Sequence, residues 1–119
     1  GRAEKLLADL HVSGVAQPLT EKLEDADILV NCTSLGMAGQ PELKIDLSPL
    51  HKKTVVADIV YKPLLTPLLK DAQKRGHIIV DGLGMLIHQA AAAFEQFYGE
   101  EAGERVKLRK ILENKLNAK

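Results

Sequence analysis

The chain has 119 residues, of which 45% are hydrophobic and 27% charged, a composition typical of one globular domain with a core of its own. Its 16 basic and 16 acidic residues give a formal charge of zero, which argues against nucleic acid or an anionic membrane surface as a partner. The single cysteine, Cys32, excludes an internal disulfide framework and favours a reducing, cytoplasmic compartment, and no apolar run approaches the roughly 20 residues of a membrane span.

The first elements are predicted from short apolar patterns. Apolar residues at helical spacing predict a helix over residues 2–10. A short strand is expected at 15–17, and a helical turn at 19–24 with Thr20 as a candidate cap. Because a natural protein rarely begins inside a helix with no strand before it, we expect the chain to be part of a longer one.

The rest of the chain alternates strands with helices. Almost wholly apolar runs predict strands, buried on both faces, at 27–31, 54–59 and 77–80. Thr66 and Pro67 are typical of a helix start and Gly76 of the position after a helix end. Two further helices are predicted at 83–98 and 104–116, the last with an apolar stripe of Leu108, Ile111, Leu112 and Leu116. This alternation predicts an α/β fold with a parallel sheet and right-handed crossovers.

Polar residues follow each predicted strand, at the sheet edge where ligands of α/β proteins bind. Thr33 and Ser34 follow the first strand, although this segment taken alone favours the alternative of an ordinary polar turn. Tyr61 and Lys62 follow the second strand and offer a hydroxyl and a positive charge. The alternatives are a tyrosine that covers the core and a solvated lysine.

A pair of glycines follows the third strand. Gly82 and Gly84 allow backbone groups to approach a bound ring closely at a helix N-terminus, but the full Gly-x-Gly-x-x-Gly fingerprint is absent. Gln89 lies at the boundary between the polar and apolar sides of that helix. A boundary position suits a side chain that reaches into a cleft, and equally a solvated glutamine.

Two further residues are interpreted structurally. Asp58 lies within a strand, where an unpaired carboxylate is costly, so we expect it to meet a backbone donor or a basic residue. Cys32 is expected to be a small buried residue at a strand end. The four histidines and Cys32 have no metal-ligand spacing, so no metal site is predicted.

Taken together, the three strand-end segments resemble the shikimate dehydrogenase family. That family carries Asn-Ala/Cys-Thr-Ser/Pro-x-Gly, Asp-x-x-Tyr-x-Pro-x-x-Thr-x-Leu-Leu and Asp-Gly-x-x-Met-Leu-x-x-Gln-Ala, in this order and spacing. The matching segments are Asn-Cys-Thr-Ser-Leu-Gly at 31–36, Asp-Ile-Val-Tyr-Lys-Pro-Leu-Leu-Thr-Pro-Leu-Leu at 58–69 and Asp-Gly-Leu-Gly-Met-Leu-Ile-His-Gln-Ala at 81–90. The likeness covers about residues 2–98.

The resemblance implies the carboxyl-terminal part of an NADP-binding domain over residues 1–119, with a partial Rossmann-like, doubly wound parallel sheet and carboxyl-terminal helices. It implies NADPH-dependent reduction of 3-dehydroshikimate to shikimate, in the pathway to chorismate and the aromatic amino acids. The implied cofactor-binding residues are Arg2 at the adenosine 2′-phosphate, Thr33 and Ser34 in the cleft, and Gly82 and Met85 at the nicotinamide. The implied substrate-binding residues are Tyr61 and Gln89.

The departures from the family pattern set limits on this interpretation. The glycine-rich loop, the amino-terminal substrate domain and its catalytic Lys and Asp have no counterpart in the chain, so no catalytic residue is assigned. We therefore expect the isolated chain to be inactive and to self-associate through an uncovered sheet face. The alternatives are a quinate/shikimate dehydrogenase that uses NAD, and a non-catalytic ligand-binding or assembly module.

Overall fold

This computed structural model describes residues 1–19 and 23–117, which contain four helices and three strands. In chain order they are α1 (Arg2–Asp9), β1 (Ile28–Asn31), β2 (Val55–Asp58), α2 (Pro67–Lys74), β3 (Ile78–Val80), α3 (Gly82–Tyr98) and α4 (Arg105–Asn117). No helix in these two ranges is both long enough and apolar enough to cross a membrane.

The strands form one parallel sheet in the order β1-β2-β3. Val55 of the central strand is in register with Ile28 on one side and Ile78 on the other. Helix α2 connects β2 to β3 and packs on both strands. The predicted α/β class with a parallel sheet is therefore confirmed.

The core lies on one face of this sheet, between β2, α2 and the segment before β2. Its buried side chains are Leu47, Leu50, Val56, Leu68, Leu69 and Ala72. Val56 and Leu69 have no exposed surface. Full burial of one such side chain stabilises a fold by about 1.5–3 kcal/mol, so this cluster holds the sheet and α2 together.

The opposite face of the sheet is open at its two outer strands. Ile28 and Val30 of β1 are 62% and 47% exposed, and Ile78 and Val80 of β3 are 65% and 49% exposed. Residues in register in a parallel sheet point to the same face, so these four side chains lie together on one face. No described element packs over this face at β1 or β3. The prediction that these strands are buried on both faces is wrong.

The predicted helix ends are confirmed. The Thr66 hydroxyl accepts a hydrogen bond from the amide of Leu69 at 3.4 Å, and Pro67 is the first residue of α2. Gly76, at φ 86°, and Gly99, at φ 69°, adopt the left-handed conformation that follows α2 and α3. These local signals determine where each helix begins and ends because they act on the backbone within one turn.

Three other predictions have a different outcome. Residues 15–17 are not a strand: Val15 is 80% exposed, and no described strand lies beside it to form a ladder. The expected turn at 19–24 falls largely on residues 20–22, which include Thr20 and lie outside the described residues. The stripe of α4 is only partly covered by α3, since Leu108 and Ile111 remain 39% and 54% exposed.

Candidate functional site

A cleft of about 560 Å³ lies at the carboxyl ends of β1 and β2. Its volume is within the range of small-molecule sites, roughly 300–1,000 Å³. It is lined by Cys32, Thr33, Ser34, Met37, Ala38, Ile59, Val60, Tyr61 and Lys62. The polar segments after the first and second strands, which are far apart in sequence, thus form two walls of one cavity.

A buried polar network centred on Asn31 shapes the first wall. The Asn31 side-chain amide donates to Asp58 Oδ1 at 3.1 Å and to the Leu35 carbonyl at 3.0 Å. Its Oδ1 accepts from the Thr33 hydroxyl at 2.7 Å and from the Thr33 amide at 3.0 Å. Asn31 therefore determines the path of the chain after β1 and joins it to the end of β2.

Asp58 extends the network to the second wall. Its carboxylate accepts from the Val60 amide at 2.9 Å and from the Thr66 hydroxyl at 2.7 Å. The side chain is buried, at 3% exposure. The expected backbone donor is present, and two side-chain donors, from Asn31 and Thr66, complete the set. A buried carboxylate with this many donors holds the β2 end, the first wall and the α2 start in one arrangement.

The segment after the third strand lies directly behind the cleft. The Gly82 amide donates to the Val60 carbonyl at 3.3 Å. A Cβ on Gly82 would be only 2.2 Å from the Ile59 carbonyl oxygen, so any side chain would collide with backbone. Because Ile59 and Val60 line the cavity, Gly82 brings the N-terminus of α3 against the back of the cleft.

Two free hydroxyl groups line the cleft, beside the exposed side chains of Lys62 and Cys32. Neither the Ser34 nor the Tyr61 hydroxyl hydrogen-bonds to another described residue, so both are available to a bound molecule. Tyr61 is 42% exposed. The Thr33 hydroxyl, by contrast, donates to Asn31 and accepts from the Leu35 amide at 3.1 Å. Thr33 therefore contributes mainly to the shape of the wall.

Cys32 is exposed and lines the cleft, so the prediction that it is buried is wrong. Along β1, side chains alternate between faces, and Cys32 continues the open side on which Val30 lies.

The sequence analysis missed one residue of the cleft, Ala38. Its amide donates to the Lys62 carbonyl at 2.9 Å and closes the loop over the cleft. Gly36, at φ 87°, is the signal for this turn.

The remaining predicted site residues do not line this cavity. Met85 and Gln89 are exposed on α3, one turn apart and therefore on one stripe of the helix. Arg2 is exposed at the first position of α1. Within the described ranges, no group of three or more His, Cys, Asp or Glu side chains could hold a metal ion. The structure thus brings together Thr33, Ser34 and Tyr61, with Gly82 behind them.

The sequence has clear relatives. A family model described as the shikimate 5′-dehydrogenase C-terminal domain matches residues 82–106. The shikimate dehydrogenase (NADP(+)) of Dinoroseobacter shibae is 58% identical over 77 residues, which are 65% of this chain and 28% of that protein. That of Sinorhizobium fredii is 50% identical over 97 residues, 82% of this chain and 34% of that protein. The chain belongs to the shikimate dehydrogenase family.

Solved structures agree with this assignment. A shikimate 5-dehydrogenase from Thermus thermophilus, in complex with NADP(H) and shikimate, superposes with a TM-score of 0.77 at 29% identity, over 92% of this chain and 40% of that one. A quinate dehydrogenase from Corynebacterium glutamicum, in complex with NAD, has a TM-score of 0.68 at 40% identity, over 76% of this chain and 32% of that one. These superpositions confirm the predicted fold class, a Rossmann-like α/β fold that matches the carboxyl-terminal part of shikimate dehydrogenases. The chain spans about a third of the length of these relatives.

Proposed function

We propose that this chain is the carboxyl-terminal, cofactor-side part of a cytoplasmic enzyme that reduces 3-dehydroshikimate to shikimate with NADPH. The observation that carries the proposal is the buried hydrogen bond between Asn31 and Asp58, which joins two family motifs at the walls of one cleft. The third motif begins at Asp81 and lies against the back of the same cleft. Residues 1–119 would then form part of an NADP-binding domain.

The residues of the cleft fit the nicotinamide end of NADPH. The cleft, with a volume of about 560 Å³, accommodates a nicotinamide ring with its ribose. The Ser34 hydroxyl is free to form a hydrogen bond with it. When bound, the cofactor supplies a hydride to the substrate carbonyl. In this proposal Thr33 and Ser34 lie beside the cofactor, and Gly82 and Met85 contact the nicotinamide.

The same proposal assigns the substrate side of the cleft. The free hydroxyl of Tyr61 would border the shikimate pocket, and Gln89, exposed on α3, would hydrogen-bond a polar group of shikimate. Arg2 is exposed on α1, where its guanidinium could pair with the adenosine 2′-phosphate of NADP. No residue of the chain is assigned as the proton donor.

A second candidate is oxidation of quinate with NAD. The quinate dehydrogenase structure, which contains NAD, is 40% identical to this chain, more than the 29% of the Thermus thermophilus shikimate enzyme. A 5-ketofructose reductase from a Gluconobacter species is 36% identical, with a TM-score of 0.70. The shikimate dehydrogenases (NADP(+)) of Dinoroseobacter shibae and Sinorhizobium fredii are more similar still, at 58% and 50% identity. Sequence likeness therefore favours shikimate and NADP as the first candidate, and Arg2 favours NADP as well.

A chimera tests the proposal. The matching part of the Dinoroseobacter shibae enzyme is replaced by this chain. The rate of NADPH formation with shikimate and NADP is then compared with the rate of NADH formation with quinate and NAD. We expect activity with shikimate and NADP, and none from the isolated chain, because the family's catalytic Lys and Asp have no counterpart here. A folded but inactive chimera, or turnover by the isolated chain near the rate of the intact relative, contradicts the proposal. Preference for quinate and NAD supports the second candidate.

A further inference from the structure

An arginine of the last helix contacts the start of α3. The Arg109 guanidinium donates from Nη1 to Asp81 Oδ1 at 3.2 Å and from Nη2 to Asp81 Oδ2 at 2.5 Å. This is the two-pronged geometry that makes arginine–carboxylate pairs strong and directional. The hydrogen bond with Asp81 is the main cause that raises the pKa of Arg109 above its usual range.

Asp81 is also the N-cap of α3. Its Oδ1 accepts from the amides of Leu83 and Gly84 at 3.1 and 3.4 Å, so one carboxylate serves the first turn of α3 and Arg109 together. Asp81 is only 18% exposed, whereas Arg109 is 37% exposed. The pair is therefore partly sheltered from water.

The guanidinium lies over the first turn itself. A Cβ on Gly84 would be 3.9 Å from Arg109 Nη1, which shows how closely Arg109 approaches this turn. Glu113, one turn further along α4, accepts from Arg109 Nε at 2.8 Å and restrains the arginine from its other side. Two carboxylates, Asp81 at the start of α3 and Glu113 on α4, thus determine the position of the guanidinium.

We infer that Arg109 is a positioning residue, which acts through Asp81 on residues 82–85 and so on the face that receives the nicotinamide. The cofactor part of this inference rests on the proposed function. The positioning part rests on the contacts alone. Arg105, one turn earlier on α4, is a natural control because it reaches the middle of α3 instead, at 3.3 Å from His88 Nδ1.

The test compares the full chain with Arg109→Ala, Arg109→Lys and Arg105→Ala. Amide hydrogen exchange by NMR should be about tenfold faster at Leu83 and Gly84 in Arg109→Ala, because the cap loses its support. It should be unchanged there in Arg105→Ala and intermediate in Arg109→Lys, which keeps the charge and loses the fork. The core amide of Val56 reports on global unfolding.

The cofactor part has its own readout. The chimera described above, with and without Arg109→Ala, is titrated with NADPH and with 2′,5′-ADP, which lacks the nicotinamide. The comparison separates positioning of residues 82–85 from a general loss of structure. We expect Arg109→Ala to lower the affinity for NADPH several-fold and to leave the affinity for 2′,5′-ADP unchanged.

Unaltered exchange at Leu83 and Gly84 in Arg109→Ala, or an equal effect of Arg105→Ala, overturns the positioning role. If Arg109→Ala lowers the affinity for both ligands equally, the cofactor part is overturned. A chimera with the wild-type sequence of this chain that binds neither ligand contradicts the proposed function and the cofactor part with it, while the exchange rates in the chain still decide the positioning role.

Discussion

The side-chain amide of Asn31 donates to the carboxylate of Asp58 across the ends of two parallel strands, although the residues are 27 positions apart in sequence. Both side chains are buried, at 4% and 3% exposure. The bond explains why Asn and Asp stand at the start of two separate family motifs. Each motif supplies one wall of the cleft, and the pair fixes the distance between the walls.

Replacing Asp58 with Asn should destabilise the fold. The variant keeps the shape of the side chain but turns one acceptor oxygen into an amide that faces the donors of Asn31, Val60 or Thr66. We expect a loss of about 2–3 kcal/mol in the free energy of unfolding, measured by urea denaturation. Asp71→Asn is the control, since Asp71 forms an exposed pair with Arg75 and should change stability by less than about 0.5 kcal/mol. Equal stability of Asp58→Asn and wild type would argue against the network.

Two glycines of one motif should respond in opposite ways to alanine. At Gly82 the new Cβ would be 2.2 Å from the Ile59 carbonyl oxygen, and we expect a loss of more than about 3 kcal/mol, or failure to fold. At Gly84 the nearest atom would be at 3.9 Å, so alanine should be tolerated and gain up to about 1 kcal/mol of helix stability. Thermal melts followed by circular dichroism compare the variants, and similar melts for both would show that Gly82 is not tightly packed.

The thiol of Cys32 should react with a disulfide reagent in the folded protein. It is exposed on the wall of the cleft, so labelling is expected to be stoichiometric without denaturant. Saturating NADPH should slow the reaction several-fold if the cofactor occupies the same cleft. Labelling after unfolding in urea, where NADPH should have no effect, is the control. A thiol that reacts only after unfolding would show that the cleft is closed.

Tyr61→Phe isolates the free hydroxyl of the cleft. In the active chimera we expect the KM for shikimate to rise about tenfold, the cost of one lost hydrogen bond to a polar substrate, with no change in melting temperature. Tyr98→Phe is a matched control, because Tyr98 is 70% exposed and packs against Phe94 outside the cleft. An unchanged KM in Tyr61→Phe would remove Tyr61 from the substrate site.

The open face of the sheet should make the isolated chain self-associate. Ile28 and Val30 on β1, and Ile78 and Val80 on β3, expose apolar side chains to water on the same face of the two outer strands. Exposed apolar surface of this kind favours association with another molecule. Light scattering should therefore give a mass above that of a monomer at high concentration, and Ile78→Lys should lower it. A wild-type chain that stays monomeric at every concentration rules this out.

Much of the local structure could be predicted from the sequence, because its signals act over a few residues. Thr66, Pro67, Gly76 and Gly99 determine the helix ends through caps and backbone conformation. The parallel α/β order follows from apolar runs that alternate with helical patterns. The three strand-end motifs also indicate where to look for a cleft, since parallel strands bring their carboxyl ends to one edge.

Only the tertiary structure decided which groups meet and which faces are covered. Apolarity predicted that Ile28 and Ile78 are buried, but burial depends on a second layer, which the described elements do not provide on that face. The same open side leaves Cys32 exposed. The pairs Asn31–Asp58 and Asp81–Arg109 join residues 27 and 28 positions apart, so no periodicity within a helix or strand encodes them. Long-range contacts of this kind depend on how the elements pack, and they determine the shape of the candidate site.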